Sequence, residues 1–555
     1  IELNLDTKLG VLYNGNILFK SQNYHITGEK IKRLGEDTYH LDKASITTCD
    51  ACPPEWSFTG RDVSIKLGDR IKARDVAFHI KGVPVLYSPY FWTPITRERQ
   101  TGFLFPVLGH STTKGFRIKQ GFFWAIADNR DLTLYLDYYS KRGIGQALHY
   151  RYLESPKTDG DLFVFHIRDS QLNKNFLKVK ALHNQELPYD ASGYLNLQMV
   201  NERDFYREYG LTLEERLGKY LESNLHVSRP FSGGRVYFLS QYRQSLEGSS
   251  EEIPQSLPEL GFVLNTTRLG PGSFNFNITG NNFWREEGQR GQRLDINPNF
   301  YMNFGRTITF SQRIGLRGTL YALNEPDASP SRSLFESQSI LSTKLSKRYT
   351  PFLHIIEPSI EYSYILPSVD PEYLPGFDSK DFISKTSLVS YSLTNRFAGN
   401  EREALIRFSN GYNLLDVARP FTPILAEAAL LSRNLQLKIN TTYDIYEKTI
   451  TETTASATLR SEKSFISVGK AYRNSIPMNL YSLEAGLDSR ILNLYSRLWY
   501  DVKGEELREL NIKATYKSQC WAVGVSFTRR PQDYQFLISI ELKGIGSIQN
   551  INRWF

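Results

Sequence analysis

From about residue 115 onward the chain is built of short runs in which every second residue is apolar. In one such run Leu132, Leu134, Leu136 and Tyr138 share a face, and Thr133, Tyr135 and Asp137 share the other. Leu195, Leu197 and Met199 stand opposite Asn196 and Gln198, and Phe274, Phe276 and Ile278 opposite Asn275, Asn277 and Thr279. Leu435, Leu437 and Ile439 stand opposite Gln436, Lys438 and Asn440. A period of two is that of a β-strand, whose successive side chains point to opposite faces. A soluble sandwich alternates in the same way, so the period alone does not place the apolar face in lipid. Size separates the two: a sandwich of more than four hundred residues should divide into linked domains, and no Gly/Ser-rich or Pro-rich boundary follows residue 110. The polar stretches 247–255, 281–293, 325–332 and 368–380 read as long loops between hairpins. Outer-membrane barrels carry such loops on one rim and short turns on the other. The expected fold is therefore all-β, with a large transmembrane antiparallel β-barrel over residues 113–555.

The first hundred residues have another texture. Four short strand-like stretches return at regular intervals with Gly and Asp at their turns, as in a small β-sandwich or roll. They are too short and too charged to cross a bilayer, so residues 1–95 are expected to form a water-exposed domain. Pro84, Pro89, Pro94 and Pro106 punctuate its exit; proline cannot donate to a ladder, and residues 96–112 read as an extended connector. The first barrel strand is then expected at GFRIKQGFFWAI and the last at YQFLISIELKG.

Composition supports this picture. The chain has 33 Tyr, 33 Phe and 7 Trp but 3 Met and 3 Cys, and aromatics favour strands and membrane interfaces. Mean hydropathy is −0.40, and no stretch approaches the ~18 apolar residues of a membrane helix. A barrel escapes that test because its lumen residues are polar. Strand parity gives a check on the cysteines: with a periplasmic N-terminal domain and an even strand count, Cys520 falls on the same side of the membrane as Cys49 and Cys52. An oxidising periplasm permits a bond there. Cys49 and Cys52, spaced C-x-x-C, can also pair with each other or hold a metal, although a lone C-x-x-C is a weak metal signal. No catalytic triad, phosphate-binding glycine loop or metal cluster assembles from neighbouring motifs; His166 and His354 read as strand residues. The expectation is a non-enzyme without cofactor or metal, and nothing points to nucleic acid.

Several segments resemble a known family: TTC followed by WSFTG, PVLYSPYF, RERQTGFLFP, YYSKRG with HYRYL, HIIEPSIEYSYI, SYSLTNRF and the late ELKG. Together they are similar to LptD, the outer-membrane lipopolysaccharide-assembly family once called organic solvent tolerance protein. The resemblance runs from about Tyr39 to Gly544, with RQTGFLFP and HIIEP its most specific parts.

The family implies a periplasmic β-jellyroll that takes lipopolysaccharide from a bridge protein (LptA-like). It also implies a 26-stranded barrel that releases the lipid sideways into the outer leaflet, with a plug lipoprotein (LptE-like) in its lumen and outer-membrane lipids around it. The resemblance assigns the disulfide to Cys49 and Cys520, because TTC matches at Cys49. Gln519 stands where members often have a second cysteine. The jellyroll is shorter than usual and the chain opens on Ile1, so a truncated or processed N-terminus is expected. Members often have prolines in the first two barrel strands; GFRIKQGFFWAI and LTLYLDYY contain none. Release needs a seam that opens, since a closed ladder has no exit into lipid. The expected seam residues are Phe116, Ile118, Gly121 and Phe123 on the first strand and Phe536, Ile538, Ile540 and Leu542 on the last. A net charge of +8 and a pI near 9.0 suit an anionic cargo, although any single Lys or Arg is more often an ordinary solvated residue. The rival readings are a passive porin or receptor-type channel and a non-membrane β-rich adhesin.

Overall fold

The computed structural model describes residues 2–4, 7, 9–20, 23–66, 69–94, 101–324, 329–476 and 478–543. An antiparallel sheet of seven strands, in sequential order from Glu2–Leu3 to Val83–Pro94, curls round one apolar core in a jellyroll-like domain. Tyr24, Ile26, Leu41, Val63, Ile65 and Ile71 form its centre, each 2% exposed or less. These residues alternate with polar neighbours on their strands, so a single curled sheet can turn all of them inward.

The rest of the described chain is a closed antiparallel barrel of 26 strands. Apart from the first strand, a full strand runs from 9 to 16 residues, where a tilted strand needs roughly 9–11 to cross a bilayer. Burial is inverted relative to a soluble protein. On Arg130–Tyr139 the buried residues include Asp131, Thr133 and Asp137, while Leu134, Leu136 and Tyr138 are exposed. Arg293, Asp295, Asn297 and Asn299 are likewise buried along Gly291–Phe304. An apolar outer face over a polar interior is stable where lipid is the outer solvent. No helix among the described residues is long and apolar enough to cross a membrane.

The two rims differ. Every turn on the rim that carries residues 518–520 is two or three residues long, whereas the opposite rim holds the long connections 201–219, 246–254, 368–385 and 414–423. Of the polar stretches picked out in the sequence, 247–255 and 368–380 fall on that long-loop rim; 281–293 is a loop there only at 285–290, its ends belonging to strands, and 325–328 of the fourth lie outside the described residues.

Closure falls one strand earlier than the sequence placed it. Gly115–Ala127, expected as the first strand, is the second: one edge pairs with Arg130–Tyr139, the other with Val107–Ser111 and Gly102–Phe103. The first strand is Val107–Ser111, and it closes on Asp533–Leu542. The barrel therefore begins inside the expected 96–112 connector. A five-residue strand behind Pro106 has neither the length nor the alternation that marks a strand in sequence. Residues 96–100 of that connector, and 544–555 of the expected barrel, lie outside the described residues.

Candidate functional site: the barrel seam and the stapled joint

Four register pairs hold the first and last strands together: Ser111 with Gln535, His110 with Phe536, Gly109 with Leu537, and Leu108 with Ile538. The last strand makes ten such pairs with its other neighbour, Trp521–Arg530. Its inner half, Ser539 to Leu542, has no first-strand partner among the described residues. The first strand breaks there: Leu104 N donates to Gly121 O on the second strand, and Pro106 has no N–H to offer. At the outer end the Asp533 carboxylate accepts from Ser111 Oγ at 2.8 Å and from Thr113 N at 3.2 Å. Thr112 N donates to Tyr534 O at 3.1 Å, and Tyr534 N to Thr112 Oγ1 at 3.1 Å. The seam is thus clasped outside and unpaired inside. Gly109 is required in it, because a Cβ there would meet Phe536 O at 2.5 Å.

Directly below the unpaired half lies the joint with the N-terminal domain. Cys49 and Cys520 form a disulfide with Cα atoms 5.0 Å apart, and Cys52 is free and exposed. Trp56, 2% exposed, packs with Leu542 and the disulfide against Phe58, Phe78, Phe105 and Trp521. Trp56 Nε1 donates to Cys520 O at 3.1 Å, and Thr48 Oγ1 to Lys543 O at 2.7 Å. The Glu55 carboxylate accepts from Ser518 Oγ at 2.9 Å and from the Trp521 indole N–H. Gln519 clamps the domain with its amide: Nε2 donates to Thr48 O at 3.1 Å and Oε1 accepts from Asp50 N at 3.2 Å. Hydrogen bonds from Asn23 and His25 hold the Asp50 carboxyl below the usual carboxylate range.

Of the expected seam residues, Phe536 and Ile538 lie in the paired stretch, Ile540 lies beyond it, and Leu542 is buried in the joint. Phe116, Ile118, Gly121 and Phe123 are on the second strand, where Phe116 pairs with His110 and Ile118 with Leu108. The seam's own residues on the first strand, Leu108 to Ser111, and its clasp Asp533 were missed. A Gly followed by two side chains that can hydrogen-bond (GHS), close after a proline, was the available signal. The lumen is lined unevenly. Near the seam Arg117 pairs with Asp137 at 2.6 Å and Arg530 with Glu509 at 3.2 Å, all buried. On Leu435–Asp444, seven strands before the last, Gln436, Lys438 and Asn440 are exposed.

Short turns on the stapled rim, long loops opposite, lipid-type outer face and polar lumen define a large outer-membrane β-barrel with a separate β-domain fixed beneath its seam. The family described as LPS transport system D (LptD) matches residues 174–539, and the LptD protein family description matches residues 71–271. The chain belongs to the LptD family. It is 26% identical over 423 residues to the LPS-assembly protein LptD of Nitrosomonas eutropha, covering 72% of this chain and 58% of that one. Its counterpart in Burkholderia cenocepacia is 22% identical over 608 residues, covering 95% and 76%. The chain thus spans under two thirds of the length of its Nitrosomonas relative. Among solved structures it is similar to the P pilus usher (PapC) translocation pore, with a TM-score of 0.24 and 10% identity over 80% of this chain and 99% of that one. A likeness at that score carries no argument.

Proposed function

We propose that this protein receives lipopolysaccharide from a periplasmic bridge protein and passes it into the outer leaflet through a lateral opening between Val107–Ser111 and Asp533–Leu542. The observation that carries the reading is the seam, with its four pairs and its unpaired inner half directly above the stapled domain. An amphiphile has two halves that need different routes. The apolar interior of the N-terminal roll suits acyl chains, and a hydrated lumen suits a phosphorylated sugar head. Trp56, Phe58, Phe78 and Phe105 form a continuous apolar contact from the domain to the seam's inner end. A barrel this wide leaves an aqueous hole unless filled, and the exposed polar residues of Leu435–Asp444 give a plug lipoprotein a surface to occupy.

The test is a covalent lock. Leu108→Cys with Ile538→Cys places cysteines on a cross-strand pair of the seam. In cells that depend on this protein, joining them should stop new lipopolysaccharide from reaching the surface, while each single variant exports normally. Export that continues through a fully joined seam rules the lateral route out and returns the chain to the passive-channel reading.

A further inference from the structure

The connection 201–219 lies inside the outer mouth of the barrel. It leaves Ala191–Val200, forms two short helices, Phe205–Tyr209 and Leu213–Leu217, and re-enters the wall at Tyr220–Phe231. Its first helix is anchored on one flank of the seam. Phe205, Tyr206 and Tyr209 are buried against Tyr139, Ile167 and Phe176, which belong to the third, fifth and sixth strands of the barrel. Tyr209 OH donates to Asp169 Oδ2 at 2.7 Å, and Glu208 pairs with Arg142 at 3.2 Å. Lys114, in the turn that follows the first strand, sits 4.7 Å from the Tyr209 ring centre.

The second helix crosses to the other flank. Glu214 pairs with Arg497, Arg216 lies 4.0 Å from Glu509, and Arg530 Nη2 donates to Leu211 O at 3.1 Å. Arg497, Glu509 and Arg530 belong to Leu492–Asp501, Glu506–Lys517 and Trp521–Arg530, the three strands before the last. One segment therefore ties both flanks of the seam together from within, independently of the seam's own hydrogen bonds.

The two attachments differ in kind. The first is a buried aromatic cluster, whose strength lies in area removed from water and in ring packing. The second is polar and incomplete. Glu214 is 61% exposed, so its ion pair is screened. Arg216 and Arg530 share the one Glu509 carboxylate, and Arg216 Nε and Nη1 are buried without a hydrogen-bond partner. Two cations on one carboxylate repel, and buried donors left unmade are costly. When the flanks part, the polar attachment yields first and the segment stays with the aromatic side.

We propose that residues 201–219 are an internal latch across the seam, hinged on Phe205–Tyr209 and released at 211–216, which must let go before the first and last strands separate. This rests on the lateral-opening reading. The latch would be joined by a bismaleimide between Glu214→Cys and Arg497→Cys, applied to intact cells, with each single-cysteine variant treated alike to account for labelling at Cys52. Export of lipopolysaccharide should fall at least tenfold in the joined protein. In a second arm, Glu214→Gln and Arg497→Gln in the purified protein should each speed amide hydrogen exchange at residues 108–111 several-fold, because the polar attachment then keeps only the Arg216 and Arg530 links. Normal export from the joined latch, with export abolished by the Leu108–Ile538 lock, overturns the latch and leaves the lateral route standing. Exchange at 108–111 that is unchanged in both variants overturns it as well. Export indifferent to both locks removes the lateral route and the latch with it.

Discussion

Removing Glu55 should undock the N-terminal domain, provided the disulfide is also absent. Two donors converge on its carboxylate, Ser518 Oγ at 2.9 Å and the Trp521 indole N–H. A donor left without its acceptor in a buried joint costs about 1–3 kcal/mol. Glu55 is partly exposed, so water recovers some of this and the low end of the range applies, about 2 kcal/mol for the two together. That corresponds to roughly thirtyfold in the docking equilibrium. With Cys49–Cys520 intact the loss is hidden, since the domain cannot diffuse away. In a Cys520→Ser background it becomes measurable.

The assay uses a protease site introduced in the 95–100 segment, cut after purification in mild detergent. On a denaturing gel without reductant, the halves of the unmutated protein and of Cys52→Ser stay joined, and those of Cys49→Ser and Cys520→Ser separate. Under native conditions Cys520→Ser should still copurify as a pair, held by Trp56, Thr48, Gln519 and Glu55. Cys520→Ser with Glu55→Ala should fall apart at protein concentrations where the single variant does not. If the double variant stays paired with unchanged affinity, Glu55 is a bystander and the joint is held elsewhere. A cut Cys52→Ser protein that separates would refute the Cys49–Cys520 assignment itself.

Other outcomes follow from single residues. Gly109→Val places a side chain against Phe536 O and the Leu537 side chain; losing the four seam pairs forfeits about 2–6 kcal/mol of hydrogen bonding, and cross-linking of Leu108→Cys to Ile538→Cys should drop several-fold, whereas an undiminished yield contradicts this placement of the first strand. Asp533→Ala removes the acceptor of Ser111 Oγ and Thr113 N, so amide exchange should rise at residue 113 before it rises along Arg130–Tyr139. Arg293→Met strands Asp378 and Asp381, which it pairs at 2.5 and 2.8 Å; breaking such a buried pair costs about 3–5 kcal/mol, and the 368–385 connection should become protease-sensitive while the barrel keeps its heat-modifiable migration. Burial pushes the Asp378 carboxyl up, but hydrogen bonds and charge from Arg293 bring it below its ordinary value. Its contribution is therefore present above the normal carboxylate range and lost as pH falls through the lowered value; the same connection should resist protease at neutral pH and loosen only in strong acid.

What was legible in the sequence was whatever repeats or is chemically singular. Alternation at Leu132–Tyr138 gave strands, and the cysteines gave a joint between distant parts of the chain. Alternation has no sign, however: Leu134 and Asp137 are assigned to opposite faces by the pattern, and only the closed barrel shows that Asp137 is the buried one. Short elements were illegible for a different reason. Val107–Ser111 spans five residues, as does each helix of the 201–219 latch, which is too little for a period to declare itself. Their positions come from tertiary partners: Gly109 from the close approach of Phe536, and Tyr209 from Asp169 and the surrounding rings. Cys520 was placed on the correct rim although the first strand was misassigned. The last strand was identified correctly, and its direction fixes that of its neighbour.

The joint and the seam are best understood as one device. Ser539 to Leu542 lack first-strand partners among the described residues, and bare strand edges facing lipid are costly. Leu542 is nevertheless 2% exposed, covered by Trp56 and the Cys49–Cys520 bridge. The docked domain thus covers the inner end of the last strand, at Leu542 and Lys543, beyond the reach of the broken first strand, and Pro106 keeps the first strand from extending to it. Undocking should therefore be felt in the barrel. In Cys520→Ser with Glu55→Ala, amide exchange at residues 539–542 should rise by about the same thirtyfold that separates the halves, with residues 535–538 rising less because their four pairs remain. Equal protection at 539–542 in docked and undocked protein would show that the domain only sits beside the seam, and that something else covers its open half.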